Sequence, residues 1–238
     1  MAGKYQHIAN DLAHRINHGE FNVGDMLPSE NQLATHYKVS RETARKALAK
    51  LTDEGRIQKM MGKGSIVIKP ARYTLPVSHL VSYTEFLKDN GIDSENHVFA
   101  LEDAPLPAMP FQDIDPSLTP GQKCTYVGRV RIINKLPSIV DHDFILKSVV
   151  PTISENTAQA SLYNYFEDDL GLTIAYSPKQ ITVEPANAQD QELLGLCEGS
   201  YVAVTTSIAH LADTTAFQFS QSRHRADKFK YQDFARRK

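Results

Sequence analysis

The amino-acid sequence predicts an α+β chain in two parts. Three short helices and a β-hairpin occupy the first seventy residues, and a strand-rich, largely antiparallel domain with intervening helices follows. Two observations carry this. Apolar residues recur at three- and four-residue steps up to about residue 55, whereas beyond the linker strand-like patterns dominate with helical segments between them. Charge divides in the same way: residues 1–70 hold 11 Lys+Arg against 7 Asp+Glu, a net of +4, while residues 71–238 hold 15 against 21, a net of −6. The whole-chain charge of −2 therefore averages two opposite halves. A basic module joined to an acidic one suits a polyanion-binding head on a larger domain.

Composition removes several alternatives. With 41% hydrophobic and 23% charged residues over 238 positions, the balance is globular, with room for one large domain or two small ones. No apolar run reaches the ~18 residues of a membrane span, and the first residues lack a signal-peptide stretch. Cys124 and Cys197 cannot make a disulfide framework, and no Cys/His cluster has zinc spacing. The expectation is a cytoplasmic protein with no metal, cofactor or membrane partner.

The first helix is expected from about Tyr5 to His18, with Tyr5, Ile8, Leu12 and Ile16 as its apolar stripe and Gly19 as its C-terminal cap. Ser29 with Gln32 has capping-box spacing and opens a second helix that turns Leu33, Ala34 and Tyr37 inward and ends near Lys38. Ser40 caps a third, whose buried stripe is Ala44, Ala47, Leu48 and Leu51 and whose end is Gly55. Arg41, Glu42, Arg45, Lys46 and Ala49 are left outside. Two short helices joined in this way form a helix-turn-helix, and an arginine-rich first turn suits a helix that enters a major groove. Arg56–Met60 and Ser65–Ile68 flank Gly62-Lys63-Gly64 and predict a hairpin, hence a wing whose tip approaches DNA through Lys63 and Gly64.

Residues 1–69 are thus expected to bind DNA, 70–79, with Pro70 and Pro76, to be an extended linker, and 80–238 to form the second domain. Its strands are expected at 97–103, 124–134, 138–146, 180–184, 200–211, 215–225 and 229–234, and its helices at 83–90, 162–170 and 188–195. Alternation puts Arg129 and Arg131 on one face with Val127 and Ile133; such a face either meets an anion or is exposed, with the arginines paired to carboxylates. Ser82 and Ser161 stand at possible helix starts, where free N–H groups and a hydroxyl suit a phosphate or simply a cap. Between 217 and 229 the polar side chains of Gln218, Ser220, Ser222 and His224 alternate, as hydroxyl-binding groups or as an edge strand with an Arg225–Asp227 pair.

Taken together, Leu27-Pro28-Ser29-Glu30, Leu33-Ala34, Val39 through Leu48, Leu51, Gly55 and Gly62-Lys63-Gly64 resemble the winged helix-turn-helix of GntR-type regulators. That resemblance implies base-edge contacts by Arg41 and Arg45. It assigns Ser29, Asn31, Glu42, Thr43 and Lys46 to bases or phosphates, and Lys63 with Gly64 to the wing tip. Leu80 through Phe86, Ser161 through Tyr165, and Ser222 through Arg225 with Asp227-Lys228-Phe229 resemble the chorismate-lyase-like effector domain of the HutC branch; the last stretch is similar to regulators of trehalose operons. The implied protein is a homodimeric repressor, released from approximately palindromic operator DNA by a phosphorylated sugar, trehalose 6-phosphate. In that branch, positions matching Ser82, Tyr83, Arg129, Arg131, Ser161 and Tyr163 hold the phosphate, and those matching Asp141, Glu184 and Ser222 contact the sugar. Many relatives carry an acidic residue where Gln218 or Gln221 stands. The nearest rival is a regulator of the same type that answers another sugar phosphate or an amino-acid-derived effector.

An enzyme is not expected. The chain has no nucleophile elbow, phosphate-binding loop or zinc-protease helix, and in Asp141-His142-Asp143 only the two aspartates share a strand face. The basic head makes one direct prediction. Operator affinity should fall steeply between low and moderate salt, because phosphate contacts release counterions; an affinity independent of salt in a titration would exclude this mode of binding.

Overall fold

The computed structural model describes residues 3–53, 55–60, 63–68 and 91–231. The chain divides into two compact units, whose described parts are 3–68 and 91–231. The linker expected at 70–79, the helix expected at 83–90 with Ser82 and Tyr83, and Gly62 lie outside the described residues.

In the first unit α1 spans Lys4–Asn17, α2 Glu30–His36 and α3 Arg41–Asp53, and β1 (Ile57–Met60) pairs antiparallel with β2 (Gly64–Val67). The three-and-four spacing of Ile8, Leu12, Leu33, Ala44, Ala47 and Leu51 brings them together in one core, closed by Ile57 and Val67 from the hairpin. Tyr5 is an exception to the expected stripe: it is 38% exposed, and Ala9 is buried instead, so the inward face begins one turn later. The Ser29–Gln32 capping box is reciprocal, with Gln32 accepting from the Ser29 N–H at 2.8 Å. Ser40 Oγ accepts from the Thr43 N–H at 3.1 Å at the start of α3. Gly55, at φ +67°, lets the chain leave α3 in the left-handed conformation and turn straight into β1.

The second unit is built on a seven-stranded antiparallel sheet: β3 (Ser94–Pro105), β4 (Lys123–Ile133), β5 (Leu136–Leu146), β6 (Ile174–Tyr176), β7 (Lys179–Pro185), β8 (Tyr201–Leu211) and β9 (Ala216–Arg225). The order is β3-β4-β5-β9-β8-β6, with β7 also pairing β8. Helix α4 (Glu155–Gln159) and α5 (Leu162–Asn164), which widens into a π-turn over Tyr165–Asp169, lie on one face. There Ala158, Leu162 and Phe166 meet Val127, Ile145 and Phe217. Against the other face, α6 (Ala188–Leu194) packs Leu194 on Val130, Val140, Val202 and Val204. A 3₁₀ turn at Phe111–Asp113 seats Phe111 against Leu146, Ile208 and Phe219 on that side.

Sequence periodicity misses β6, α4 and the 3₁₀ turn, each too short to show a period. The strand expected at 229–234 is not found in 229–231, and 232–234 lie outside the described residues. There the Lys228 and Phe229 N–H groups both donate to the Arg225 carbonyl, closing a turn that ends β9.

Gly128 of β4 lies directly against the Phe99 ring of β3. A Cβ there would lie 2.4 Å from the Phe99 ring. Gly128→Ala should therefore destabilise the protein by about 1–3 kcal/mol through overpacking. A urea midpoint unchanged from wild type would show that Phe99 yields without cost.

Candidate DNA-binding face and effector site

Subtracting the buried stripe of α3 leaves a cationic surface. Arg41 and Arg45 are 70% and 59% exposed. Lys46, Lys63, Gly64, Ser29 and Asn31 are exposed, and Thr43 is half-buried. Both exposed arginines are held: Arg45 donates to Glu42 at 2.8 Å within the helix, and Arg41 Nε donates to Glu30 Oε2 at 3.0 Å. Thr43 Oγ1 lies 2.8 Å from Ser40 Oγ, so its hydroxyl also serves the helix start.

In the second unit the register, rather than proximity in sequence, assembles the site. Arg129 on β4 lies opposite Asp141 on β5, Asp141 opposite Ser222 on β9, and Ser222 opposite Thr205 on β8. Residues directly opposite share a face, so one polar row crosses four strands. The row two residues along holds Asp143 and Ser220, and Gln218 lies beyond it. Helix α4 covers this face: the Ala158 carbonyl accepts from Arg129 Nη1 at 3.2 Å, and the Gln159 carbonyl accepts from Asn96 at 3.0 Å.

A buried and a half-buried guanidinium here meet two buried carboxylates. Arg129 donates to Asp143 at 2.6 Å, and Arg131 donates to Asp141. Ser222 Oγ donates to Asp141 at 2.5 Å, while Ser220 and Gln218 donate to Asp143, the latter at 3.0 Å. Burial alone would raise the Asp141 carboxyl, but Arg131 and then Arg129 hold it below the usual range. The arginines thus follow half of each expectation: the face is covered, not exposed, and each guanidinium has a carboxylate. Arg131 is the more accessible of the two, 12% exposed against 5% for Arg129.

Among the described residues, three buried side-chain polar atoms lack a hydrogen-bond partner: Arg129 Nε, Thr205 Oγ1 and Gln218 Oε1. All three belong to the face covered by α4. An unsatisfied buried polar atom costs roughly 1–3 kcal/mol, and three on one face make it a place where a polar ligand is favoured.

Ser161 caps α5: its Oγ accepts from the Asn164 N–H at 3.3 Å and donates to the Asn164 side chain at 2.8 Å. Burial, and then the charge of Asp143, push the Tyr163 hydroxyl up to about 12 and keep it a neutral donor. Glu184 stands apart. It lies opposite Val202, one residue out of phase with Thr205, and so on the other face of the sheet. There it accepts from Arg223 at 2.9 Å, beside Asp190 of α6. Its grouping with the sugar contacts is therefore corrected: strand parity makes it part of the α6 anchor. Sequence reasoning passed over Asp143 as the partner of Arg129; its two-residue spacing from Asp141 was the available signal. Thr205 gave none, because an isolated threonine in a strand is unremarkable.

Residues 4–67 match the family model of bacterial regulatory proteins of the gntR family, and residues 97–230 match the UTRA domain. The chain belongs to the GntR family. Its UTRA domain makes this GntR chain a member of the HutC type, and thus a DNA-binding transcriptional repressor rather than an enzyme. It is 38% identical over 98% of its length to the HTH-type transcriptional regulator TreR of Bacillus subtilis, of which it covers 98%. The solved structure of the possible transcriptional regulator YydK from Bacillus subtilis matches at a TM-score of 0.80 and 26% identity, over 98% of this chain and 100% of that one. The effector-binding domain of the Bacillus subtilis trehalose repressor matches at 0.52 and 34% identity, over 60% of this chain and 99% of its own.

His224, diagonal to Asp141 on the α4-covered face, supplies a pH prediction. Burial pushes its imidazole down to about 4, outweighing the pull of Asp141. The unfolded chain takes up this proton near 6.5, so stability is complete above that pH and declines as pH falls from 6.5 towards 4. The loss from this group should approach about 3 kcal/mol. Urea midpoints measured across that window should flatten in His224→Gln; an identical decline in the variant would clear His224 of the effect.

Proposed function

We propose that this protein represses genes for trehalose uptake and breakdown as a homodimer in the cytoplasm. Trehalose 6-phosphate releases it from an approximately palindromic operator. Residues 1–69 form the DNA head, 70–79 the connecting linker and 80–238 the effector and dimerisation domain. Its likeness to the TreR protein supports the trehalose assignment. Among the described residues no helix is long and apolar enough to cross a membrane.

The observation that carries the effector reading is the polar row Arg129–Asp141–Ser222–Thr205 with its unpartnered buried atoms. A sugar phosphate has the chemistry to meet it. The phosphate accepts from guanidinium and hydroxyl groups, and the sugar hydroxyls donate to carboxylates. Because Arg131 is held by Asp141, an incoming phosphate competes for the guanidinium while a sugar hydroxyl replaces it at the carboxylate. Ser82, Tyr83, Ser161 and Tyr163 complete the phosphate contacts in this proposal. Arg129, the deeper of the pair, holds Asp143 in place.

Release follows only if the ligand binds better to a dimer arrangement that misfits the operator. Two half-sites read by two recognition helices give the affinity that a single small head lacks. On the DNA side Arg41 and Arg45 read bases, with Ser29, Asn31, Glu42, Thr43, Lys46, Lys63 and Gly64 at the backbone or supporting them.

Trehalose 6-phosphate at a hundred times its dissociation constant should stabilise the wild type by about 2.7 kcal/mol, seen as a raised thermal midpoint. Arg131→Ala should lose that shift and retain operator binding. Unphosphorylated trehalose should produce none. If another sugar phosphate raised the midpoint and trehalose 6-phosphate did not, the effector would be reassigned within the same class.

A further inference from the structure

We propose that Glu30 is a positioning residue for operator recognition, a single carboxylate that fixes the recognition helix and the wing relative to one another. The proposal rests on the assignment of α3 and the β1–β2 hairpin to DNA. The two carboxylate oxygens of Glu30 serve different elements: Oε2 accepts from Arg41 Nε of α3 at 3.0 Å, and Oε1 accepts from Lys59 Nζ of β1 at 3.2 Å. Its own side chain is only 17% exposed, whereas those of Arg41 and Lys59 are 70% and 64% exposed. The acid sits inside and the two cations project outward from it.

The geometry suits readout. Holding Arg41 through Nε leaves its Nη1 and Nη2 edge as a two-donor fork, the shape that meets O6 and N7 of guanine. Lys59 keeps two further donors for a phosphate. A long guanidinium otherwise loses rotamer freedom when it docks, and a partner that has already ordered it removes part of that cost. The Glu42–Arg45 pair differs, because both residues lie in α3 and it relates no two elements.

Charge and geometry make opposite predictions. By charge alone, a carboxylate beside a polyanion weakens binding, so its removal should tighten association with any duplex. As a positioning group, its removal should harm only the duplex whose bases are read.

The test uses the full chain, a duplex enriched from random DNA by repeated selection with the wild type, and a scrambled duplex of equal length. Glu30→Gln should weaken binding to the selected duplex about tenfold while binding to the scrambled duplex holds or tightens. Glu30→Asp keeps the charge but shortens the reach; it should also lose selective affinity. In an Arg41→Ala background, Glu30→Gln should have a much smaller effect on the selected duplex, the sign of a coupled pair. Tighter or unchanged binding of Glu30→Gln to both duplexes, a wild-type selectivity in Glu30→Asp, or an undiminished penalty without Arg41 would each overturn the proposal. If Arg41→Ala itself left selected-duplex affinity unchanged, the assignment of α3 to the operator would fail instead, and this role of Glu30 with it.

Discussion

The second unit depends on how it buries charge. Arg129 and Asp143 lie almost wholly out of solvent, 2.6 Å apart, under α4. Neither group is tolerable there alone, because breaking a buried pair leaves an uncompensated charge that costs about 3–5 kcal/mol. The pair therefore requires the β4–β5 register, the α4 carbonyl above Arg129 and the β9 side chains beside Asp143 all at once. Hydrophobic contacts on the same face, from Val127 through Phe217, give the bulk of the stability but do not select one arrangement so narrowly.

Most elements were legible from sequence because their periods were long enough to read. The eleven-residue β4, β5 and β8 are long runs buried from both faces, and the caps at Ser29, Ser40 and Gly55 delimit the head helices. Short pieces such as β6 and α4 owe their shape to what they pack on, and three to five residues hold no period. In the candidate site, parity within one strand paired Arg129 with Arg131 and Asp141 with Asp143, whereas Asp141 and Ser222 entered as sugar contacts only through the resemblance to the HutC branch. Glu184 entered through the same resemblance, and strand parity puts it on the other face of the sheet. Its face depends on the β7–β8 register, which only the folded sheet supplies.

Both units treat their cations in the same way. Arg41 is held by Glu30, Arg45 by Glu42, Arg129 by Asp143 and Arg131 by Asp141. Each guanidinium facing a candidate anion site already has an internal carboxylate. A generic anion must displace or share that partner at a cost, and only a ligand whose other groups compensate gains from doing so. Such an arrangement favours discrimination over raw affinity.

The pairing of β5 with β9 has a consequence for the birth of the molecule. Asp141 meets Ser222 across about eighty residues of chain, whereas β4–β5 and β8–β9 are local hairpins. Closing so long a loop comes late, and the ribosome delivers β9 last among the strands. The described part of the head, residues 3–68, is rich in local helix contacts and emerges first. Synthesis thus passes through an interval in which the recognition helix exists before the sheet proposed to sense and pair it does.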